Sequence, residues 1–226
     1  MKILITSGGT TEAIDQVRGI TNHATGHLGK IIAERFLAGG HQVTLVTTKQ
    51  AVKPEAQEGL RVSVISDVAS LLETLEPLVK SHDVLIHSMA VSDYTPVYMT
   101  DIDELEKADS PAQLLTHKNE EAKISSKADY QVLFLKKTPK IISLVKTWNP
   151  HIRLVGFKLL VAVEKAELFQ IARKSLVNNQ AELIVANDLK DITPDQHLAY
   201  LVDQDAEILA TTKSDIADKL YERLTL

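Results

Sequence analysis

A chain of 226 residues that is 44% hydrophobic and 24% charged has the balance of a globular protein with material for a substantial core, which excludes fibres and unfolded tails. Its formal net charge of −5 argues against a protein that coats nucleic-acid phosphates, so any anion must be held by a local site. The lack of cysteine removes disulfides, thiolate zinc sites, iron–sulfur clusters and a cysteine nucleophile together, and suits a reducing compartment.

The first predicted strand is Lys2–Thr6. Its apolar stretch of three residues is too short for a signal peptide, and no later run approaches the roughly 20 apolar residues of a membrane-spanning helix. The expectation is a soluble cytoplasmic protein. Ser7-Gly8-Gly9-Thr10-Thr11 follows at the carboxyl end of the strand, where a parallel sheet binds ligands. Its spacing is neither G-x-G-x-x-G nor the P-loop pattern, and Gly26-His-Leu-Gly29-Lys30 fits neither motif. The plainer alternative is a Gly-Gly turn that only reverses the chain.

Arg18, Asn22 and Thr25 then precede a predicted helix over 26–37, where Leu28, Ile31, Ile32 and Phe36 recur at helical spacing and Gly39-Gly40 stops the run. A helix amino terminus welcomes an anion. Arg18 can grip a phosphate or carboxylate with two parallel bonds, and Asn22 can donate to a developing oxyanion. Helix capping is the competing role for Asn22 and Thr25. His23 and His27 lie four apart, but Gly26 between them and the want of a third ligand nearby argue against a metal.

Strands are predicted at Gln42–Val46, Arg61–Ile65 and Asp83–His87, with a helix at Val68–Val79 between the last two. The segment from His87 to Pro96 should lie beside the first-strand loop at the switch point of a doubly wound sheet. There Asp93 either coordinates a metal, reads a base amine or makes a turn. Thr95–Tyr130 shows no clear strand, and a connection of this length points to a lid, flap or interface arm. Lys136-Lys137 before Pro139 reads as a solvated strand end and helix start, or as a face for a polyphosphate. Helices at Lys140–Thr147, Lys165–Asn178 and Lys213–Leu224 alternate with strands at Arg153–Phe157 and Glu182–Ala186, and near the end His197–Val202 and Glu207–Ala210 read as a hairpin added to the sheet edge. This alternation predicts an α/β fold: a Rossmann-like, doubly wound, mainly parallel sheet with a C-terminal β-hairpin and a long arm. Eight of the nine glycines lie within the first 59 residues, which places the demand for close backbone approach at the front.

Five segments taken in order resemble the phosphopantothenate–cysteine ligase family of coenzyme A biosynthesis. They are Ser7–Arg18, Thr21–Gly26, Ala90-Val91-Ser92-Asp93-Tyr94, Gly156-Phe157-Lys158-Leu159 and Ala186-Asn187-Asp188. The similarity spans nearly the whole chain and looks like the stand-alone bacterial form, one ligase domain over 1–226 with no preceding flavin-binding decarboxylase domain. It implies coupling of the 4′-phosphopantothenate carboxylate to the amine of L-cysteine through an acyl-nucleotide, with Mg2+ quieting the triphosphate. By resemblance, Asn22 meets the carboxylate or acyl carbonyl, and Arg18 shares its substrate loop. Gly8, Gly9 and Thr10 let backbone amides approach phosphates, while Ala90, Asp93, Thr138, Pro139, Lys140, Ile141, Phe157 and Lys158 match nucleotide-site positions. The flap at about 95–130 closes over the nucleotide and pairs two subunits in a homodimer.

The chain also departs from that pattern. CTP-using members carry Lys-Ile-Lys-Lys where this chain has Lys123-Ile124-Ser125-Ser126, and lysines near Ser175 and Asn179. Lys158, Lys136, Lys137 or Lys174 stand as replacements, and Gly156–Leu159 is closer to the ATP-using pattern. CTP is preferred on the bacterial character of the whole, with ATP as the alternative. Among rivals, a short-chain reductase lacks its Tyr-x-x-x-Lys pair at Tyr94, Tyr98, Tyr130, Tyr200 and Tyr221. A non-catalytic nucleotide-sensing module would share the same loops.

Overall fold

Every third-to-fourth apolar residue in the predicted helices and every residue of the predicted parallel strands must find cover, and the computed structural model shows how. It describes residues 1–193 and 196–226. In chain order the elements are β1 (Lys2–Ser7), β2 (Thr11–Ala13), β3 (Gly19–Thr21), α1 (His27–Ala38), β4 (Gln42–Thr48), β5 (Leu60–Ile65), α2 (Val68–Val79) and β6 (Val84–His87). There follow β7 (Tyr94–Asp101), α3 (Ile102–Lys107), α4 (Pro111–Leu114), β8 (Gln131–Lys137), α5 (Ile141–Trp148) and β9 (Arg153–Leu160). The chain ends with α6 (Lys165–Asn179), β10 (Leu183–Asp188), a 3-10 turn at Leu189–Asp191, β11 (Ala199–Val202), β12 (Glu207–Ala210) and α7 (Lys213–Thr225).

Eight strands form the central sheet in the order β12-β11-β10-β9-β6-β1-β4-β5. Six are parallel, and β11 and β12 add an antiparallel hairpin at one edge. The chain leaves β1 for β4 and β5, then crosses to β6 on the other side, so the switch point lies between β1 and β6. Helices cover both faces. Leu4, Leu71, Leu85, Val145, Leu154 and Ile184 fill the layer beneath α2, α5 and α6. Ile3, Ile5, Ile32, Phe36, Ile86 and Leu220 fill the layer beneath α1 and α7. The alternation of Ile3, Leu4 and Ile5 between layers explains why this strand reads as an unbroken apolar run. Burying each such side chain contributes about 1.5–3 kcal/mol. No helix among the described residues is long and apolar enough to cross a membrane.

Several boundaries differ from the sequence reading for identifiable reasons. The segment expected to lack strands begins with one: β7 pairs antiparallel with β8, Tyr94 opposite Lys137 through Asp101 opposite Gln131. Pro96 disguised it. The missing N–H is tolerated because the register shifts between Pro96 and Tyr98 in a two-stranded arm. β2 and β3 form a three-residue antiparallel pair too short to carry a period. The C-terminal hairpin starts at Ala199, while His197 makes only an isolated bridge to Ile192. Helix α1 opens after Gly26, whose φ of 84° and lack of a side-chain cap bond remove both Asn22 and Thr25 from a capping role.

Candidate functional site

Past their last ladder residues β1 and β6 go on pairing as loops. Gly9 and Ala90 form a parallel bridge, with the Ala90 N–H donating to the Gly8 carbonyl at 2.9 Å and the Thr10 N–H to the Ala90 carbonyl at 3.0 Å. Thr10 is fully buried, accepts the Ser92 N–H at 2.9 Å and donates its hydroxyl to Ser92 Oγ at 3.0 Å. The switch point is therefore zipped along its floor. One expectation changes: the Thr10 amide, read as a phosphate donor, is already spent on Ala90.

The β2–β3 pair folds residues 11–21 back so that Asn22 rests on this zip. Its N–H reaches the Thr10 carbonyl at 3.4 Å, and its Nδ2 donates to Ser92 Oγ at 3.1 Å and faces the Ala90 carbonyl at 3.4 Å. Gly9 makes this approach possible, because a Cβ there would sit 2.6 Å from the Asn22 carbonyl oxygen. A third segment arrives from the start of α5. Thr138 donates its hydroxyl to the Ser92 carbonyl at 2.6 Å and its N–H to the Asp93 carbonyl at 3.0 Å, and Lys140 pairs with Asp93 at 3.3 Å. Ser92 thus joins all three segments through its N–H, hydroxyl and carbonyl.

Two cavities flank this knot. On the β6–β9 side a cavity of about 210 Å³ is lined by His87, Ser92, Asp93, Lys140, Phe157 and Lys158. Pro139 and Ile141 wall it as well, and α6 contributes Ser175 and Asn179. On the β1–β4 side a wider cavity of about 650 Å³ is lined by Gly9, Asn22, His23, His27, Thr48 and Gln50. Asn22 belongs to one cavity and Ser92 to the other, so the bond between them is the partition.

Arg18 stands elsewhere. Its Nε donates to Asp15 at 3.0 Å and its Nη2 to the Ile124 carbonyl at 2.8 Å. The Ile124 N–H in turn donates to Asp15 at 3.1 Å, and the Gln16 N–H to the Ala122 carbonyl at 3.0 Å. The guanidinium read as a free anion grip is occupied, because Asp15 sits three residues earlier on the inside of the same turn. It fastens the arm to the β2–β3 turn. The Arg18 guanidinium, with backbone N–H groups of Val17, Arg18 and Ile124, holds the Asp15 carboxyl well below the usual carboxylate range.

His87 ends β6 with its Nδ1 2.8 Å from Thr6 Oγ1. Burial, with a smaller push from Lys140, lowers its pKa to about 4, so the imidazole is neutral at pH 7. Among the described residues no group of three or more His, Cys, Asp or Glu is placed to hold a metal ion. His27 bonds Thr25 Oγ1 at 3.0 Å, and Asp93 is paired with Lys140.

Residues 1–121 and 110–226 both match the model of the DNA/pantothenate metabolism flavoprotein C-terminal domain. The chain belongs to that family. It is 56% identical to the DNA/pantothenate metabolism flavoprotein from Streptococcus pneumoniae, whose crystal structure superposes with a TM-score of 0.96, covering 100% of this chain and 98% of that one. The C-terminal domain of Coenzyme A biosynthesis bifunctional protein CoaBC superposes with a TM-score of 0.71 at 25% identity, covering 99% of this chain and 93% of that one. CoaBC of Thermococcus kodakarensis is 32% identical over 99% of this chain, which covers 50% of the relative. This chain spans about half the length of that relative. In this member of the DNA/pantothenate metabolism flavoprotein C-terminal domain family, two crevice residues are not among the site residues expected from sequence: Ser92, within Ala90–Tyr94, and His87. The signal for His87 was available, since it is the one polar residue in Val84-Leu85-Ile86-His87 and sits at the carboxyl end of a parallel strand.

Proposed function

We propose that this chain is a phosphopantothenate–cysteine ligase, joining 4′-phosphopantothenate to L-cysteine through an acyl-nucleotide intermediate in coenzyme A biosynthesis. Support comes from the family, from the name borne by the CoaBC relatives, and above all from the Asn22–Ser92 partition. Two substrates seated in the two cavities meet at that bond. The substrate carboxylate attacks the α-phosphorus of the nucleotide, the bond to the bridging oxygen breaks, and pyrophosphate leaves. The cysteine amine then attacks the acyl carbon, loses a proton and expels the nucleoside monophosphate. Asn22 Nδ2 is the donor set to stabilise negative charge on the acyl oxygen in both steps. Lys158, and Lys140 beyond its pairing with Asp93, supply positive charge at the rim of the smaller cavity for the triphosphate.

CTP is the proposed nucleotide, with ATP the alternative. Mg2+ accompanies the triphosphate and quiets its charge. The whole chain acts as one ligase domain, cytoplasmic and homodimeric, with the arm of β7, β8 and residues 102–130 packed on a second copy. The test offers purified protein phosphopantothenate, cysteine, Mg2+ and either CTP or ATP, and measures pyrophosphate and phosphopantothenoylcysteine. Product with CTP, formed faster than with ATP, is expected. Nucleotide binding with no product from either nucleotide overturns the ligase reading in favour of a sensing module.

A further inference from the structure

A buried imidazole is an expensive way to fill the end of a parallel strand unless both nitrogens find partners. His87 is 7% exposed, and its Nδ1 meets the hydroxyl of fully buried Thr6 at 2.8 Å. Thr6 Oγ1 already accepts the Met89 N–H at 3.3 Å, and among the described residues its own hydrogen has no other acceptor than His87 Nδ1. The Thr6 hydroxyl therefore donates, Nδ1 accepts, and the ring proton resides on Nε2. Among the described residues that nitrogen has no hydrogen-bond partner. It is not sealed either, because the buried side-chain atoms lacking a partner among the described residues are His41 Nε2 and His197 Nδ1. Since His87 lines the smaller cavity, Nε2–H opens into it.

The cavity around this donor sorts its occupants. Met89, Ile142 and Phe157 give it apolar and aromatic wall, whereas Lys158 and Lys140, the latter paired with the Asp93 carboxylate, are the cations of its lining. Phosphates belong with those cations. A planar base belongs beside Phe157, where the one requirement left open is an acceptor for the imidazole N–H. We infer that His87 is a nucleobase-reading residue: its Nε2–H, oriented by Thr6, donates to a carbonyl or ring-nitrogen acceptor of the base in the β6–β9 cavity. Burial keeps the ring neutral, so it serves as a directional donor and not as another cation for the phosphates.

The inference rests on the ligase reading only in taking the occupant to be its nucleotide. Long-range proton–nitrogen NMR on 15N-labelled protein, with His87 assigned by its absence from His87→Leu, should show hydrogen on Nε2 before nucleotide is added and a shift of that nitrogen when CTP binds. In steady-state ligation His87→Leu should raise the nucleotide KM about tenfold or more, the usual consequence of leaving a buried acceptor unpaired, with the phosphopantothenate KM unmoved. His87→Gln, whose amide can place an N–H near the same point, should recover most of the loss. Hydrogen on Nδ1, an unchanged nucleotide KM in a folded His87→Leu, or the same shift produced by tripolyphosphate without a base each overturns it. Should His87→Leu fail to fold, the wild-type spectra and His87→Gln decide. Ligation with a silent His87 refutes this inference alone, while a nucleotide-shifted His87 in a protein that makes no product refutes the ligase reading alone.

Discussion

Asn22→Asp changes one atom and separates catalysis from structure. In the folded protein Nδ2 donates to Ser92 Oγ at 3.1 Å and faces the Ala90 carbonyl at 3.4 Å. Aspartate removes both interactions and sets a carboxylate oxygen toward a carbonyl lone pair. Ser92 limits the damage, because its hydroxyl hydrogen can turn to donate to the new carboxylate while still accepting from Thr10. A lost neutral hydrogen bond is worth about 1 kcal/mol, which for a chain of this length lowers Tm by roughly 2–4 °C. The catalytic loss should be larger. Taking away one oxyanion donor and placing negative charge beside the acyl oxygen should slow turnover on the order of a hundredfold or more. Helix capping offers no competing account, since Gly26 occupies the cap. Pyrophosphate release and thermal melting, measured on Asn22→Asp and Asn22→Ala together, separate the effects. An Asn22→Asp enzyme with wild-type turnover, or a loss of rate that merely tracks the unfolded fraction, refutes Asn22 as the donor.

Gly9→Ala should destabilise the fold by about 1–3 kcal/mol and depress turnover as well, because its methyl would meet the Asn22 backbone carbonyl at 2.6 Å; chemical denaturation alongside the rate assay tests this. At Asp188, burial works to raise the pKa, but the N–H groups of Lys190, Val163 and Ala162 overcome it and bring the value down to about 2. A depressed carboxyl contributes stability that is fully present above its unfolded value of about 3.9 and drains away as pH falls toward 2, so the gap between wild type and Asp188→Asn in urea melts should be full at pH 7 and shrink across that window. A gap independent of pH would show that the charge contributes nothing. Ser175→Lys adds a cation to the smaller cavity and should lower the nucleotide KM several-fold without moving that of phosphopantothenate. Light scattering should report a dimer at micromolar concentration, and a fully active monomer would remove the arm from the site.

The parallel strands were legible because burial on both faces writes them as unbroken apolar runs: Ile3-Leu4-Ile5 and Val84-Leu85-Ile86 allow little else. β7 was not legible, since Pro96 contradicts a strand locally and only the bulge and its pairing with β8 excuse it. At the site, the switch-point rule and the ordered motifs led to the loops after β1 and β6, and the resemblance led to Asp93, Thr138–Ile141, Phe157 and Lys158, which converge on one cavity. Partnership was the hidden part. Sequence alone leaves Arg18 free, whereas Asp15 and Ile124 occupy its fork, and it makes Thr10 a phosphate donor, whereas the Thr10 amide donates to Ala90. Ser92 and His87 owe their roles to groups 82 and 81 residues away, a distance at which no local pattern speaks.

The knot at Ser92 also has a bearing on how the protein reaches its native state. Its bonds span 82 residues to Thr10, 70 to Asn22 and 46 to Thr138, so three long loops must close before any of them rewards the chain. The helices need no such closure and form from neighbours in sequence within about a microsecond. During refolding, helical signal should thus lead and the crevice should lag, appearing only once β6 has come in beside β1. Catalytic competence is a late arrival in this architecture, and a fragment ending before residue 138 carries the glycine loop, Asn22 and Ser92 yet lacks Thr138, the third partner that holds the Ser92 carbonyl.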